Sequence, residues 1–169
     1  MSSSPLPSFT TTGTNKKDYY LINGSPDFSV IPPGVIRGID MPMPIRLPYG
    51  DPSFGAQHIM LRHGKWVMDN EPTGCVATLV WQKLSQRGAM YVEQQTKLNL
   101  SLKINPSALL ILKQLDGFYS VTTLYHHQRP AKGQMLGTYQ GFHWAKKVVL
   151  ADPQADDSLA KDSLVVPGL

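Results

Sequence analysis

The sequence predicts an α+β domain, with N-terminal helices packed on a roughly four-stranded antiparallel sheet. Three observations carry this expectation. Apolar residues recur at helical spacing between residues 54 and 87, the period changes to two after Gly88, and Asp116-Gly117 separates two apolar runs as a tight hairpin turn. Helices followed by strands is the element order of an α+β fold. At 169 residues, 41% hydrophobic and 17% charged, the chain accommodates one ordinary domain and tails.

Nine of the fourteen prolines fall in the first 52 residues, where fixed φ angles and missing N–H donors oppose long helices and central strands. Residues 1–28 therefore read as a flexible Ser/Thr/Pro-rich leader. Residues 29–52 read as extended segments wrapping the domain, with at most one edge strand. Ser53 after Pro52 starts the first helix over residues 54–63, and Gly64 is placed to end it. A second helix follows Pro72, with Val76, Leu79, Val80, Lys83, Leu84 and Arg87 three and four apart, and Gly88 closes it. Residues 89–94 offer one strand. Over residues 96–104, Leu98, Leu100, Leu102 and Ile104 alternate with Lys97, Asn99, Ser101 and Lys103, which describes a strand with one wet face. The apolar run 108–115 and the β-branched, aromatic run 118–125 flank the Asp116-Gly117 turn and complete the sheet. Residues 128–141, with Pro130, Gly133, Gly137 and Gly141, read as a loop, and 142–150 as a short strand or helix. The single domain thus spans 29–150, followed by a flexible acidic tail over 151–169.

Several function classes are disfavoured at this level. Cys75 is the single cysteine, which excludes an intramolecular disulfide and a thiolate metal cluster. No apolar run approaches the length of a membrane span, and the N-terminus lacks the apolar stretch of a secretion signal. The expected location is the cytoplasm, the protein's own or that of a target cell into which it is delivered. The formal charge of +4 favours a polyanionic partner. Between His58 and Lys103 the sequence has six basic side chains against three acidic ones, while Asp152, Asp156, Asp157 and Asp162 make the tail acidic. No HExxH, P-loop, GxSxG or GxGxxG motif is present, and His126 and His127 point to opposite sides of an extended chain, so neither metal nor cofactor is expected.

The candidate functional residues cluster in two places. His58, Arg62 and His63 lie on the first helix, and Thr123, Tyr125, His127 and Arg129 lie in the run from Thr123 to Arg129. On an ideal helix His58 and Arg62 share a face, whereas His58 and His63 stand about 140° apart. Both imidazoles reach one substrate only if the helix ends at His63; otherwise one of them packs or caps. Strand alternation puts Tyr119, Val121, Thr123 and Tyr125 on one face. Thr and Tyr also simply suit strands, and Trp66, Trp81 and Trp144 read as core or scattered residues.

The helix segment Phe54-Gly-Ala-Gln-His58-Ile-Met-Leu-Arg62-His63-Gly64 and the later Tyr119-Ser-Val-Thr-Thr123-Leu-Tyr125 together resemble a known family. This is the phage- and polymorphic-toxin-associated branch of the barnase–EndoU–colicin–RelE-like ribonuclease superfamily, whose members pair a G-x-x-H-I-x-x-x-H helix with a late T-x-Y strand. The likeness spans residues 30–145 in element order. It implies helices on a four-stranded antiparallel sheet and metal-independent cleavage of RNA in a cleft on that sheet. The acidic member of a barnase-like pair has no match, so base and acid stay unassigned.

Cleavage without a metal needs a base for the 2′-OH proton, an acid for the leaving 5′ oxygen, and donors or cations for the phosphorane charge. Histidine serves both proton roles near neutral pH. On the resemblance, His58 is base or acid, with His63 or His127 the second proton-transfer group. Thr123 and Tyr125 donate to the non-bridging oxygens. Arg62 or Lys97 clamps phosphate, and Lys103 and Arg129 contact the strand. The implied product is a 2′,3′-cyclic phosphate, the partner is RNA, with tRNA among the candidates, and a cognate inhibitor protein is a candidate partner. The alternatives are a catalytically silent nucleic-acid-binding or effector protein on the same fold, and a structural virion or secretion-system component.

Overall fold

The computed structural model describes residues 7–36, 38–73, 75–92, 99–104, 108–125 and 134–141. It is an α+β fold, but strands come first. β1 (Phe9–Thr11) and β2 (Tyr20–Ile22) form a two-stranded antiparallel ribbon. Phe9 stacks on Phe28 with ring centroids 5.9 Å apart and meets Trp81 edge-on at 6.4 Å. This corrects the reading of 1–28 as a flexible leader from Pro7 onward, because aromatic burial anchors a segment whose prolines forbid only long elements. Ile22 and Phe28 are fully buried.

β3 (Ser29–Ile31) and β4 (Met43–Arg46) follow, so residues 29–52 supply two strands and not one at most. Pro44 lacks a donor, and β4 pairs with its inner neighbour only through Ile45 and Arg46. The helices are α1 (Gly55–Asn70) and α2 (Val76–Leu84), after which come β5 (Gly88–Val92), β6 (Asn99–Ile104), β7 (Ala108–Leu115), β8 (Phe118–Tyr125) and β9 (Gln134–Tyr139). The main sheet has seven strands in the order β3-β4-β8-β7-β6-β5-β9. The β4–β8 pair is parallel and the others are antiparallel. The expected four-stranded antiparallel sheet is therefore the middle of a larger mixed one. The expected loop over 128–141 contains β9, whose pairing with β5 tolerates Gly137 at a register shift. The hairpin falls where the sequence puts it, with Leu115 opposite Phe118 and Gly117 at φ 86°.

α1 does not stop at His63. His63 leaves helical geometry (φ −131°, ψ 24°), and the helix resumes to Asn70. Gly64 does not take the left-handed conformation that ends helices, so nothing prevents resumption. Beyond the kink α1 packs along α2: the Lys83 ammonium lies 5.8 Å from the Trp66 ring centre, and a Glu71 carboxylate oxygen accepts from the Gln82 amide at 3.5 Å. Burial holds the Lys83 ammonium below the usual lysine range.

The concave side of the sheet is the core. Met90, Leu102, Leu110 and Leu124 stand in one cross-strand row and are all buried. The two edges of the curl meet there. The Tyr139 hydroxyl on β9 donates to the Leu84 carbonyl at the end of α2, so its remaining lone pair accepts from the Ser29 hydroxyl on β3. Burial pushes the Tyr139 phenol far above its ordinary value of 10.0, with the Ser29 bond offsetting a little.

Two predictions follow from this frame. A side chain at Gly55 meets the Pro48 carbonyl at 2.8 Å while φ is 79°. Gly55→Ala is therefore expected to cost at least about 1–3 kcal/mol, read as a fall in denaturation midpoint. Tyr139→Phe leaves two buried groups short of a partner, an expected loss of about 1–3 kcal/mol. Because the phenol stays protonated in the folded state above pH 10.0 while the unfolded one ionises, its stabilisation is complete below that pH and declines as pH rises. Chemical denaturation at rising pH should show a shallower alkaline loss in Tyr139→Phe, the half-buried Tyr19 and Tyr20 and the buried Tyr119 supplying what remains.

Candidate functional site

β8 carries the site because its two faces serve different neighbours. Thr123 pairs with Ile111, but the next pair is Val121 with Leu112, so Thr122 is an extra residue in a bulge. One inserted residue exchanges the faces on either side of it. Tyr119 and Val121 consequently face the core with Leu112, and Tyr119 donates to the Gln114 amide oxygen at 3.2 Å. Thr123 and Tyr125 turn to the opposite side. The unbroken alternation that set all four on one face is corrected by this bulge.

The first half of α1 lies along β8 on that side. Its start is fixed by the chain before it: the Ala56 and Gln57 amides donate to the Pro48 and Tyr49 carbonyls at 3.0 Å each. The His63 ring at the kink meets the Tyr125 ring edge-on, with centroids 5.8 Å apart. His58 is oriented through Nδ1, which lies 2.8 Å from the Pro52 carbonyl. A carbonyl only accepts, so Nδ1 carries the proton and a neutral ring presents the Nε2 lone pair as a proton acceptor. Arg62 is exposed. Lys103 pairs with Leu109, which pairs with Tyr125, so Lys103 and Tyr125 share a face two strands apart, about 10 Å.

Thr123 lies between these groups but is 4% exposed. Its hydroxyl has no hydrogen-bond partner among the described residues. The structure thus brings His63 and Tyr125 together, sets Lys103 on the same sheet face, and keeps the Thr123 oxygen out of solvent. Lys97, His126, His127 and Arg129 lie outside the described residues. Among the described residues, no three His, Cys, Asp or Glu side chains could hold a metal, and no helix is long and apolar enough to cross a membrane.

The site has a second part that the sequence reading missed. Toward the hairpin end of β7 and β8, a cavity of about 570 Å³ is lined by Lys16, Lys17 and Lys113, by Tyr19 and Phe54, and by Thr122 among other residues. Lys16 and Lys17 come from the segment taken as leader. The Gly50 amide donates to the Lys16 carbonyl at 3.2 Å and the Tyr49 amide to the Asp18 carbonyl at 2.8 Å, which joins that segment to the start of α1. The adjacent pair Lys16-Lys17 before Asp18-Tyr19-Tyr20 was the available signal. Asp51 sits nearby, held below the ordinary carboxylate range by hydrogen bonds from Ser53 and, less strongly, by the charge of Lys16.

No protein-family model, no curated protein and no solved structure matches the chain.

The unpartnered Thr123 hydroxyl makes a direct prediction. Removing a buried polar group that forms no bond relieves its desolvation cost, about 1–3 kcal/mol for such groups. Thr123→Val is expected to keep or raise the melting temperature, whereas a fall beyond about 1 kcal/mol would mean the hydroxyl is bonded.

Proposed function

We propose that this protein is a metal-independent endoribonuclease that cleaves RNA by attack of the 2′-OH on the adjacent phosphate, leaving a 2′,3′-cyclic phosphate. The observation that carries the reading is the meeting of His63, at the kink of α1, with Tyr125, at the end of β8. These are one of the two helix histidines and the strand tyrosine that the resemblance pairs.

The roles follow from chemistry. His58, with its proton held on Nδ1 by the Pro52 carbonyl, takes the 2′-OH proton at Nε2. His63 returns a proton to the leaving 5′ oxygen, and the Tyr125 hydroxyl donates to a non-bridging oxygen. Arg62 and Lys103 balance the charge gathered on the phosphorane. Histidine fills both proton roles, so the reading requires no metal. Buried Thr123 positions Tyr125 in this scheme and does not touch phosphate. tRNA is a candidate substrate, and a cognate inhibitor protein a candidate partner.

A silent RNA-binding module is the second reading, favoured by the lysine-lined cavity, which binds without chemistry. Incubation of the purified protein with total RNA in EDTA separates the two. The expected result is cleavage with cyclic-phosphate ends, reduced about 10²–10⁴-fold in His58→Ala and in His63→Ala at little change in melting temperature. Cleavage that EDTA abolishes and magnesium restores sinks the proposal, and so does full activity in both variants.

A further inference from the structure

We infer that the cavity bounded by Lys16, Lys17 and Lys113 binds the backbone of single-stranded RNA, as a subsite separate from the His63–Tyr125 pair. The inference extends the proposed function and rests on it for the identity of the strand. Lys16, Lys17 and Lys113 line the cavity together with the aromatic residues Tyr19 and Phe54. Aromatic rings that stack bases beside cations that meet phosphates are how single strands are held without sequence readout. The volume of about 570 Å³ falls within the usual size of a small-ligand site. A free inorganic anion would have no use for the aromatic side chains in the lining.

The site is built in advance. Backbone bonds to Tyr49 and Gly50 hold the Lys16–Asp18 segment. Asp18 is committed within that turn, accepting from the Thr12 hydroxyl and the Asn15 amide at 2.8 Å each. Asp51, hydrogen-bonded by Ser53, offsets one of the three lysines and leaves an excess of positive charge.

Its position also fits a strand. Lys113 is opposite Ser120 on β7 and β8, while Leu109, four residues away on β7, is opposite Tyr125. At the rise of an extended chain that separation is about 14 Å. Lys113 and Leu109 share a sheet face, and α1 borders it from Phe54 beside the cavity to His63 beside Tyr125. A short run of nucleotides laid along α1 would place one phosphate at the histidines and others at the lysines.

The test uses a fluorescent single-stranded RNA with every 2′-OH methylated, which cannot be cut by 2′-OH attack, with anisotropy read in EDTA across a salt series. Combining Lys16→Ala, Lys17→Ala and Lys113→Ala should weaken binding at least tenfold and reduce the log–log salt slope by about 2, given about 0.7 per phosphate contact. All three side chains are exposed, so the variant should keep its melting temperature. Lys65→Ala, whose ammonium already pairs with Asp69 at 3.1 Å, should bind like the parent. A parent that does not bind the RNA, a triple variant with unchanged affinity and slope, or an equal loss in Lys65→Ala overturns the inference. Displacement of the RNA by inorganic phosphate beyond the effect of chloride at equal ionic strength also overturns it, in favour of a free-anion site. Cleavage of unmodified RNA, followed in parallel, keeps the two proposals apart. Lysine-dependent binding without cleavage retains the subsite and removes the nuclease, and cleavage with lysine-independent binding does the reverse.

Discussion

The bulge at Thr122 is the constraint on which the arrangement of this protein depends. β8 lies inside the sheet, parallel to β4 on one side and antiparallel to β7 on the other. It must cover the core along its whole length and also present a surface to α1. A regular strand repeats every second residue and would hold Tyr119 and Tyr125 on the same face. One extra residue lets Tyr119, Val121 and Leu124 face the core while Thr123 and Tyr125 face the helix. The insertion also leaves Thr122 free of a β7 partner, at the wall of the lysine cavity.

The rest of the fold fixes α1 against that face. Across the curl of the sheet the Tyr139 phenol is bonded to Ser29 and to the last carbonyl of α2. That contact ties three distant parts of the chain through buried polar groups, where leaving a partner unmade is costly. The N-terminal ribbon acts from the opposite end. Aromatic contacts of Phe9 tie it to Phe28 and to Trp81 on α2, and the bonds from Tyr49 and Gly50 tie it to the segment that precedes α1, so the lysines of the ribbon and the start of the helix belong to one scaffold. A kink at His63 then sends the second half of α1 onto α2.

The chemistry proposed here uses these placements sparingly. The His63 ring and the Tyr125 phenol meet at the end of β8, His58 lies earlier on α1 beside Pro52, and Lys103 and Lys113 stand on the same sheet face. A phosphodiester strand needs such an elongated distribution of charge, with proton transfer confined to one phosphate. A compact ligand would not use both ends.

What the sequence determined by itself are the elements whose signals are local. β7, β8 and the Asp116-Gly117 hairpin between them fall where apolar runs and turn chemistry put them, and the stripe of Val76, Leu79, Val80 and Leu84 is the buried side of α2. Tertiary structure alone decided the rest. β4 joins β8 across more than seventy residues of sequence, β9 forms in a glycine-rich stretch by pairing with β5, and the prolines of the N-terminal region coexist with four short strands, because partners outside each segment satisfy their backbones. The bulge that reverses the faces of β8, and with it the burial of Thr123, has no signature in a run of Thr and Val residues equally suited to either face. Lys16, Lys17 and Lys113 become neighbours only because backbone hydrogen bonds bring the first ribbon to the start of α1. Periodicity reports what each segment can bury, and the closing of long loops decides which surfaces those segments share.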